Sequence, residues 1–278
     1  AKSHRIQSAE APYHRYLPGH LRSISRLRQF GGTSNVAGLV GKFYTDHLKH
    51  HEGFLEPGPL TQQFASELQY GPKPRFCICF ALDDETQAKH QLLEHVVYLK
   101  PEYTKGIFQT IRTRASARYP TKNQNGWISR YRVKFVSEQV PHLHSRLYLS
   151  SARDRFGLRK PVLDWNFTDL ERIAIPNAAQ LCIERFAQAG LGFLDFGTVP
   201  PSIDSCTDAA HRMGTTRMGL TPHDGVVDTN CRVFGTENLF IAGSAVFPSC
   251  PSYSPTFTIL ALARRLACYL TKKTMSAS

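Results

Sequence analysis

The stretch from His211 to Ala267 reads HRMGTTRMGLTPHDGVVDTNCRVFGTENLFIAGSAVFPSCPSYSPTFTILALARRLA. It holds glycine-containing turns, one short apolar run and a long apolar segment at its end. The short run, Leu239–Ala242, is closed by Gly243. A continuous apolar run of this length predicts a strand buried on both faces of a largely parallel sheet, and a glycine allows backbone to approach a ligand closely.

The apolar segment at the end of this stretch predicts a helix from Thr256 to about Leu270. Ser254 is a good N-cap residue, and Pro255 suits the first helical position, where its missing N–H costs nothing. Apolar residues recur at helical spacing and predict a buried stripe: Ile259, Leu262, Ala263, Leu266 and Tyr269. The unpaired N–H groups at the start of such a helix favour a negatively charged group nearby.

Four motifs in this stretch, taken in order, resemble the C-terminal signature of the glucose–methanol–choline (GMC) family of flavin-dependent alcohol oxidoreductases. They are His211–Thr215 as His-x-x-Gly-Thr, Val226–Asp228 with Arg232–Gly235, Asn238–Ser244, and Pro255-Thr256. Upstream, Val140-Pro141, Ser145-Arg146, Asp154 with Gly157, and Leu163–Trp165 resemble a bacterial dehydrogenase subgroup. A looser match covers Gly38 to His47. The resemblance is therefore strong after Val140 and weaker before it.

The resemblance implies FAD as cofactor and an alcohol or sugar as substrate. It assigns His211 as the catalytic base, since a neutral imidazole can take the alcohol proton near physiological pH while the carbon gives its hydride to flavin N5. It also implies five cofactor-binding residues: Ala242, Gly243, Ser244, Pro255 and Thr256. The opposing interpretation of His211 is a structural histidine in a loop.

The second catalytic position departs from the family pattern. The family has His or Asn here, whereas this chain has Ser254. A serine hydroxyl is shorter than an asparagine amide and cannot act as a base near neutral pH. Two interpretations stay open: Ser254 orients a substrate oxygen through a water, or the chain no longer turns over.

The sequence lacks the dinucleotide-binding turn that a complete flavoenzyme of this type needs. No Gly-x-Gly-x-x-Gly occurs after an apolar strand; the nearest pattern, Gly190-Leu-Gly192, follows a predicted helix. We therefore expect a fragment or subunit, with a separate N-terminal FAD-domain chain as partner. The alternative is a catalytically inactive, truncated or partner-dependent fragment.

The pattern along the chain predicts a mixed α+β and α/β fold. An antiparallel substrate-binding domain with helices is expected over residues 61–205. Residues 206–278 are expected to complete a Rossmann-like FAD-binding domain, and residues 1–60 to be a remnant or linker of that domain. Thr168–Glu171 is a capping box opening a helix to about Ala189, which Pro176 should kink. The candidate strands are Phe76–Leu82, His95–Leu99, Arg130–Val136, Arg146–Leu149 and Val162–Asn166.

Composition and charge narrow the classes of protein to which this chain can belong. The 278 residues carry a net charge of +12, but the basic residues are dispersed and no nucleic-acid motif accompanies them, so a nucleic-acid-binding protein rests on charge alone. Seven cysteines without a Cys-x-x-Cys spacing argue against a disulfide framework and a metal site. No apolar run is long enough for a membrane span and no signal peptide opens the chain, so a cytoplasmic location is the default expectation.

Overall fold

The computed structural model describes residues 4–6, 35, 37–51, 53–61, 78–104 and 127–275. The strands are β1 His4–Ile6, β2 Leu48–His50, β3 Phe54–Pro57, β4 Ile78–Ala81, β5 His95–Thr104, β6 Trp127–Ser137, β7 Arg146–Arg153, β8 Arg159–Trp165, β9 Gly192–Asp195 and β10 Thr207–Asp208. The helices are α1 Asp84–His90, α2 Asp169–Gln188 and α3 Thr256–Met275, with a 3₁₀ turn at Ser244–Val246.

The chain forms two compact units, and each is discontinuous in sequence. The first unit consists of Ala1–His47, Glu138–Glu171 and Asp208–Ser278, and the second of Leu48–Ser137 and Arg172–Thr207. These boundaries fall elsewhere than the linear division at residues 60 and 205. Which part of the chain binds substrate stays a prediction.

The second unit is built on an antiparallel sheet around β6. β6 pairs with β5 along its length and with β2 and β3 in succession, while β4 extends the sheet beyond β5 and β9 beyond β3. Along β6 the side chains alternate: Arg130 and Arg132 are exposed, whereas Tyr131, Val133 and Phe135 are buried. This confirms the predicted sheet with one solvated face.

Helix α2 begins with the predicted capping box. The backbone N–H of Thr168 donates to Glu171 Oε2 at 2.8 Å, and the Thr168 hydroxyl donates to the same oxygen. The other oxygen of the buried Glu171 accepts from the N–H of Val140 at 2.9 Å. The helix continues through Pro176 and ends before Gly190, whose φ of +68° is the left-handed conformation that glycine supplies at a helix end.

The first unit combines a small sheet with a helix on a core of irregular chain. β8 lies between β1 and β7, and all pairs are antiparallel. The core beside it contains Leu147, Met213, Val227, Val233 and Leu266. Because these side chains come from loops as well as from α3, burial of apolar surface holds together segments that share few regular hydrogen bonds.

Helix α3 is longer than predicted and buries a narrower stripe. It begins at Thr256, as expected, and continues to Met275. Leu266 is buried, and Ile259, Leu262 and Tyr269 pack partly buried against the core, but Ala263 is exposed. The predicted stripe is therefore wrong at Ala263, where the helix turns a small side chain to solvent.

The predicted strand at Leu239–Ala242 is not formed. Its regular pairing is limited to an antiparallel bridge between Phe240 and Arg232, and Ala242 is exposed. A strand buried on both faces needs a neighbouring strand on each edge. In the described part of the structure this stretch of the chain is an extended segment outside any regular sheet. The prediction of a strand buried on both faces is therefore wrong here.

Other features concern the described residues alone. Six cysteines are free, and Cys77 lies outside the described residues. Between residues 37 and 275, in the described ranges, no group of three or more His, Cys, Asp or Glu side chains could hold a metal ion. None of the three helices is long and apolar enough to cross a bilayer. The predicted linker over residues 1–60 lies largely outside the described residues.

Candidate functional site

The loop that carries His211 is fixed on one side by the segment Gly41–His47. Thr45 and Met213 form an antiparallel bridge, with the Met213 N–H donating to the Thr45 carbonyl at 2.9 Å. The Gly41 N–H donates to the Thr215 carbonyl at 2.7 Å. These bonds join two segments that lie far apart in sequence.

Gly214 explains why the two segments approach so closely. Its φ is +86°, and a Cβ added there would lie 2.0 Å from the carbonyl oxygen of Phe43. Only glycine avoids both the backbone strain and the collision. The glycine of the motif is therefore a packing requirement at the base of the loop.

A second segment, the 3₁₀ turn Ser244–Val246, fixes the same loop from its other side. The Thr216 N–H donates to the Ala245 carbonyl at 2.9 Å, and the Met218 N–H donates to the Val246 carbonyl at 2.8 Å. The residues around the histidine are thus held between two backbone segments.

The turn that precedes His211 is organised by two carboxylates. Asp46 Oδ1 accepts from the N–H groups of Ala209 at 3.2 Å and His211 at 3.0 Å. Asp208 Oδ1 accepts from the N–H of Ala210 at 2.9 Å, which helps hold Ala210 at its φ of +60°. Non-glycine residues rarely adopt this conformation, so the carboxylates stabilise an unfavourable turn.

Asp46 lies in a buried polar cluster. Burial is the main cause that raises its pKa to about 7; the charge of Asp208 adds to the rise, and the donated N–H of His211 opposes it. Its second oxygen, Oδ2, is buried without a hydrogen-bond partner among the described residues. Burial and the charge of Asp46 raise the pKa of Tyr44 as well, although Arg212 hydrogen-bonds its hydroxyl.

The imidazole of His211 contacts a second imidazole. Its Nδ1 lies 3.2 Å from Nδ1 of His47, and the two rings meet edge to face with centroids 4.9 Å apart. His47 is buried, whereas His211 is half-buried. One ring must donate and the other accept, so the tautomers of the two rings are linked.

His211 borders a cleft of about 240 Å³ in the first unit. The cleft is lined by residues of the histidine loop, the 3₁₀ turn and the start of α3: Ala210, His211, Arg212, Ser244, Pro255, Thr256 and Ile259. This volume is below the roughly 300–1,000 Å³ of typical ligand pockets. The cleft therefore suits a small substrate or one edge of a larger cofactor.

The cleft brings together some of the predicted site residues and leaves others out. His211, Ser244, Pro255 and Thr256 share it, although they come from three separate segments. Ala242 and Gly243 directly precede its lining at Ser244. Ser254 does not line it: the side chain is exposed, with its hydroxyl 3.4 Å from that of Thr256.

The lining fits the ring end of a flavin. The first N–H groups of α3 have no partner within the helix, and the helix dipole favours negative charge at this point. Gly243 has a φ of +122°, and no atom lies within 4 Å of the position a Cβ would take. The space beside the Gly243 backbone is therefore large enough for a flat ring to approach it. Nothing in the sequence supplies the phosphate-binding turn for the other end of FAD.

The sequence did not identify the residues that surround His211. Asp46 and His47 were noticed only within the loose Gly38–His47 match, and Tyr44 and Arg212 carried no assignment. The Asp46-His47 pair could itself have indicated a site, because two adjacent titratable residues come shortly after the aromatic residues Phe43 and Tyr44. Their separation of 165 residues from the histidine loop hid the contact.

The chain is similar in sequence to known oxidoreductases. The sequence model of the family described as GMC oxidoreductase matches residues 141–263. A paromamine 6'-oxidase from Streptomyces fradiae is 28% identical over 244 residues, covering 85% of this chain and 40% of that protein. A long-chain-alcohol oxidase from Arabidopsis thaliana is 37% identical over 51 residues, covering 18% of this chain and 7% of that protein.

Among solved structures, a formate oxidase of Aspergillus oryzae has a similar fold. The TM-score is 0.52 at 17% sequence identity, over 87% of this chain and 49% of that one. The chain therefore spans half or less of the length of the proteins it resembles. Residues 141–263, which include the loop and cleft around His211, match the sequence model of the C-terminal part of GMC oxidoreductases.

Proposed function

We propose that this chain supplies the reacting half of an FAD-dependent oxidoreductase that oxidises CH–OH groups of an alcohol or sugar. The observation that carries the proposal is the position of the His211 ring in a cleft shared with Ser244 and the start of α3. The match of residues 141–263 to the GMC oxidoreductase model supports the same chemistry. The long-chain alcohol named for the Arabidopsis thaliana relative supports the substrate class.

In this proposal His211 is the base. Its ring borders the cleft, where a substrate hydroxyl can reach it, and its backbone is held by Asp46. Removing the hydroxyl proton makes the carbon a better hydride donor, and the bound flavin supplies the acceptor. The partial positive charge at the start of α3 favours negative charge developing on the cofactor side of the cleft.

Ser254 contributes less than the His or Asn of the family would. Its side chain is exposed and does not line the cleft. Of the two interpretations of Ser254, the one in which it orients substrate through a water therefore requires the water to bridge from outside the cleft lining. We expect Ser254→Asn to raise turnover if the rest of the site is competent, because the longer amide can reach further and offers both donors and an acceptor.

A partner that carries the dinucleotide-binding turn is the second element of the proposal. Two large apolar side chains on α3, Phe257 at 83% and Leu260 at 64% exposure, lie next to the cleft residues Thr256 and Ile259. Exposed apolar groups beside a ligand site favour contact with further protein.

Titration of flavins with the purified chain tests the proposal. We expect weak binding that does not distinguish FAD, FMN and riboflavin, because only the ring end of the cofactor meets residues of this chain. Flavin fluorescence anisotropy gives the three Kd values. Markedly tighter binding of FAD than of riboflavin would contradict the division of the site, since it requires contacts to the adenosine diphosphate end.

A matched pair of variants locates the binding. Thr256→Tyr places a large side chain in the cleft and should abolish flavin binding. Thr258→Tyr changes an exposed residue of the same helix that does not line the cleft, and should leave the Kd unchanged. If both variants bind flavin like the unmodified chain, the cleft is not the flavin site.

Turnover distinguishes the active enzyme from the inactive alternative. The chain, mixed with FAD and a panel of primary alcohols and sugars, is assayed for flavin reduction without oxygen. His211→Ala should abolish reduction while leaving flavin binding intact. Flavin binding without reduction by any member of the panel would favour the catalytically inactive, partner-dependent alternative.

A further inference from the structure

The segment Gly41–His47 ends in a buried histidine, His47, whose ring contacts the ring of the candidate base His211. His47 follows Asp46, whose N–H donates to Gln139 Oε1 at 3.0 Å and whose carboxylate accepts from the His211 N–H. The Thr45–Met213 bridge fixes the backbone two residues earlier. The position of the His47 ring relative to His211 is therefore set by backbone contacts on both sides of the pair.

The contact between the rings restricts their protonation. The two Nδ1 atoms are 3.2 Å apart, so a hydrogen bond between them needs one N–H and one lone pair. When both rings are neutral, the proton lies on Nδ1 of either His211 or His47. When His211 is protonated, both of its nitrogens carry hydrogen, and His47 must be the acceptor.

We infer that His47 is a positioning residue that accepts the Nδ1–H of His211 and thereby leaves Nε2 of His211 unprotonated and able to take a proton. The inference rests on the proposed function and deepens it. With His47 as acceptor in both protonation states, proton uptake at Nε2 needs no exchange of tautomers, which is the way an orienting group serves a catalytic histidine.

Other charged and titratable groups near the pair act on the backbone and the surrounding field. Asp46 bonds the backbone N–H of His211, Asp208 that of Ala210, and Arg212 pairs with Asp208 at 3.7 Å. Tyr44 hydrogen-bonds Arg212. His47 contacts Nδ1 of the His211 ring, so the tautomer of His211 reports on that contact.

Nitrogen-15 NMR of the histidine rings tests the inference on the chain without cofactor. The two ring nitrogens of a neutral histidine have different shifts when protonated and unprotonated, and multiple-bond correlation spectra above pH 8 identify the tautomer. His211→Gln assigns the ring by loss of its signals. We expect the Nδ1–H tautomer for His211, and the Nε2–H tautomer in the unmodified chain would overturn the inference.

Two substitutions separate orientation from simple packing. His47→Gln offers an amide oxygen as acceptor and should retain the Nδ1–H tautomer of His211. His47→Phe keeps a ring of similar size without an acceptor and should move His211 to the Nε2–H tautomer that free histidine prefers. If His211 keeps Nδ1–H in a folded His47→Phe chain, His47 does not set the tautomer.

A control comes from a second imidazole pair in the first unit. His142 and His144 have ring centroids 5.4 Å apart, and His144 is exposed. His144→Gln removes one ring of that pair and should leave the His211 spectrum unchanged. Because the spectra require neither flavin nor turnover, a failure of the proposed function and a failure of this inference are observed separately.

Discussion

The hydroxyl of Ser244 donates a hydrogen bond to the backbone carbonyl of Arg212, with an O···O distance of 2.7 Å. The residue next to the candidate base is thereby tied to the turn that follows Gly243. The same two residues line the cleft. A side chain that the sequence assigned to cofactor binding thus has a structural task within the site.

Ser244→Ala should destabilise the chain by about 1 kcal/mol, because the Arg212 carbonyl loses its donor in a half-buried position. Urea denaturation followed by circular dichroism measures the free energy of unfolding. Ser249→Ala is the control, since Ser249 is exposed in the same segment and should cost little. Equal costs for the two variants would show that the bond to Arg212 adds nothing.

Gly214→Ala should be far more damaging than the same change at another glycine with positive φ. At Gly214 the added Cβ meets the Phe43 carbonyl at 2.0 Å, whereas at Gly38, with a φ of +63°, nothing lies within 4 Å. We expect about 1–2 kcal/mol for Gly38→Ala from the left-handed conformation alone. Gly214→Ala should lose about 3–5 kcal/mol or fail to fold, since overpacking adds to that cost. Similar melting temperatures for the two variants would contradict this account.

Asp46 should make stability fall as the pH rises. Its folded-state pKa of about 7 lies above the roughly 3.9 of an unfolded aspartate, so the folded chain binds more protons between these values. The contribution is fully present below about pH 4 and is lost as the pH rises through about 7. A pKa difference of about three corresponds to about 4 kcal/mol.

Asp46→Asn removes this dependence while an amide oxygen can still accept from Ala209 and His211. The free energy of unfolding of the variant, relative to the unmodified chain, should therefore rise between pH 4 and pH 7. Urea titrations across that range measure it, with Glu237→Gln as a control at an exposed position. A constant difference across the range would show that Asp46 does not titrate there.

Gln139 should be among the costliest buried polar residues to replace. Its Oε1 accepts from the Asp46 N–H and from Trp165 Nε1, each at 3.0 Å, and its Nε2 donates to the Asn166 carbonyl at 3.1 Å. Gln139→Leu leaves two buried donors without an acceptor, at about 1–3 kcal/mol each. We expect a loss of about 2–5 kcal/mol in urea denaturation.

A double-mutant cycle with Trp165→Phe checks this reasoning. Trp165→Phe removes one of the two donors, so it should cost less in the Gln139→Leu background than in the unmodified chain. The coupling should be about 1 kcal/mol or more. Additive costs would mean that the Trp165 bond to Gln139 contributes nothing measurable.

Local patterns predicted much of the fold. Alternation along Arg130–Val136 and the capping box at Thr168–Glu171 each report interactions between residues near in sequence, and both are confirmed. The apolar run Leu239–Ala242 has the composition of a buried strand, but composition does not reveal whether neighbouring strands exist to pair with it. That prediction was wrong for this reason.

The candidate site was predicted only where a motif marked it. The motif identified the segments of His211, Ser244 and Pro255-Thr256, which meet at one cleft. It also suggested Ser254, whose side chain the backbone turns outward before α3 begins. Asp46 and His47 were missed because their role depends on a contact across more than 160 residues, which no local pattern encodes.

The 165-residue interval between Asp46 and His211 also governs when the site can exist during synthesis. On a ribosome the Asp46 carboxylate is made long before either N–H that it will accept. Until then the carboxylate is exposed to water, and the Phe43 carbonyl has no Gly214 beside it. The chain must be synthesised past His211 before these partners can close the loop between them. A nascent chain that stops before Asp208 would therefore contain none of the residues that line the cleft.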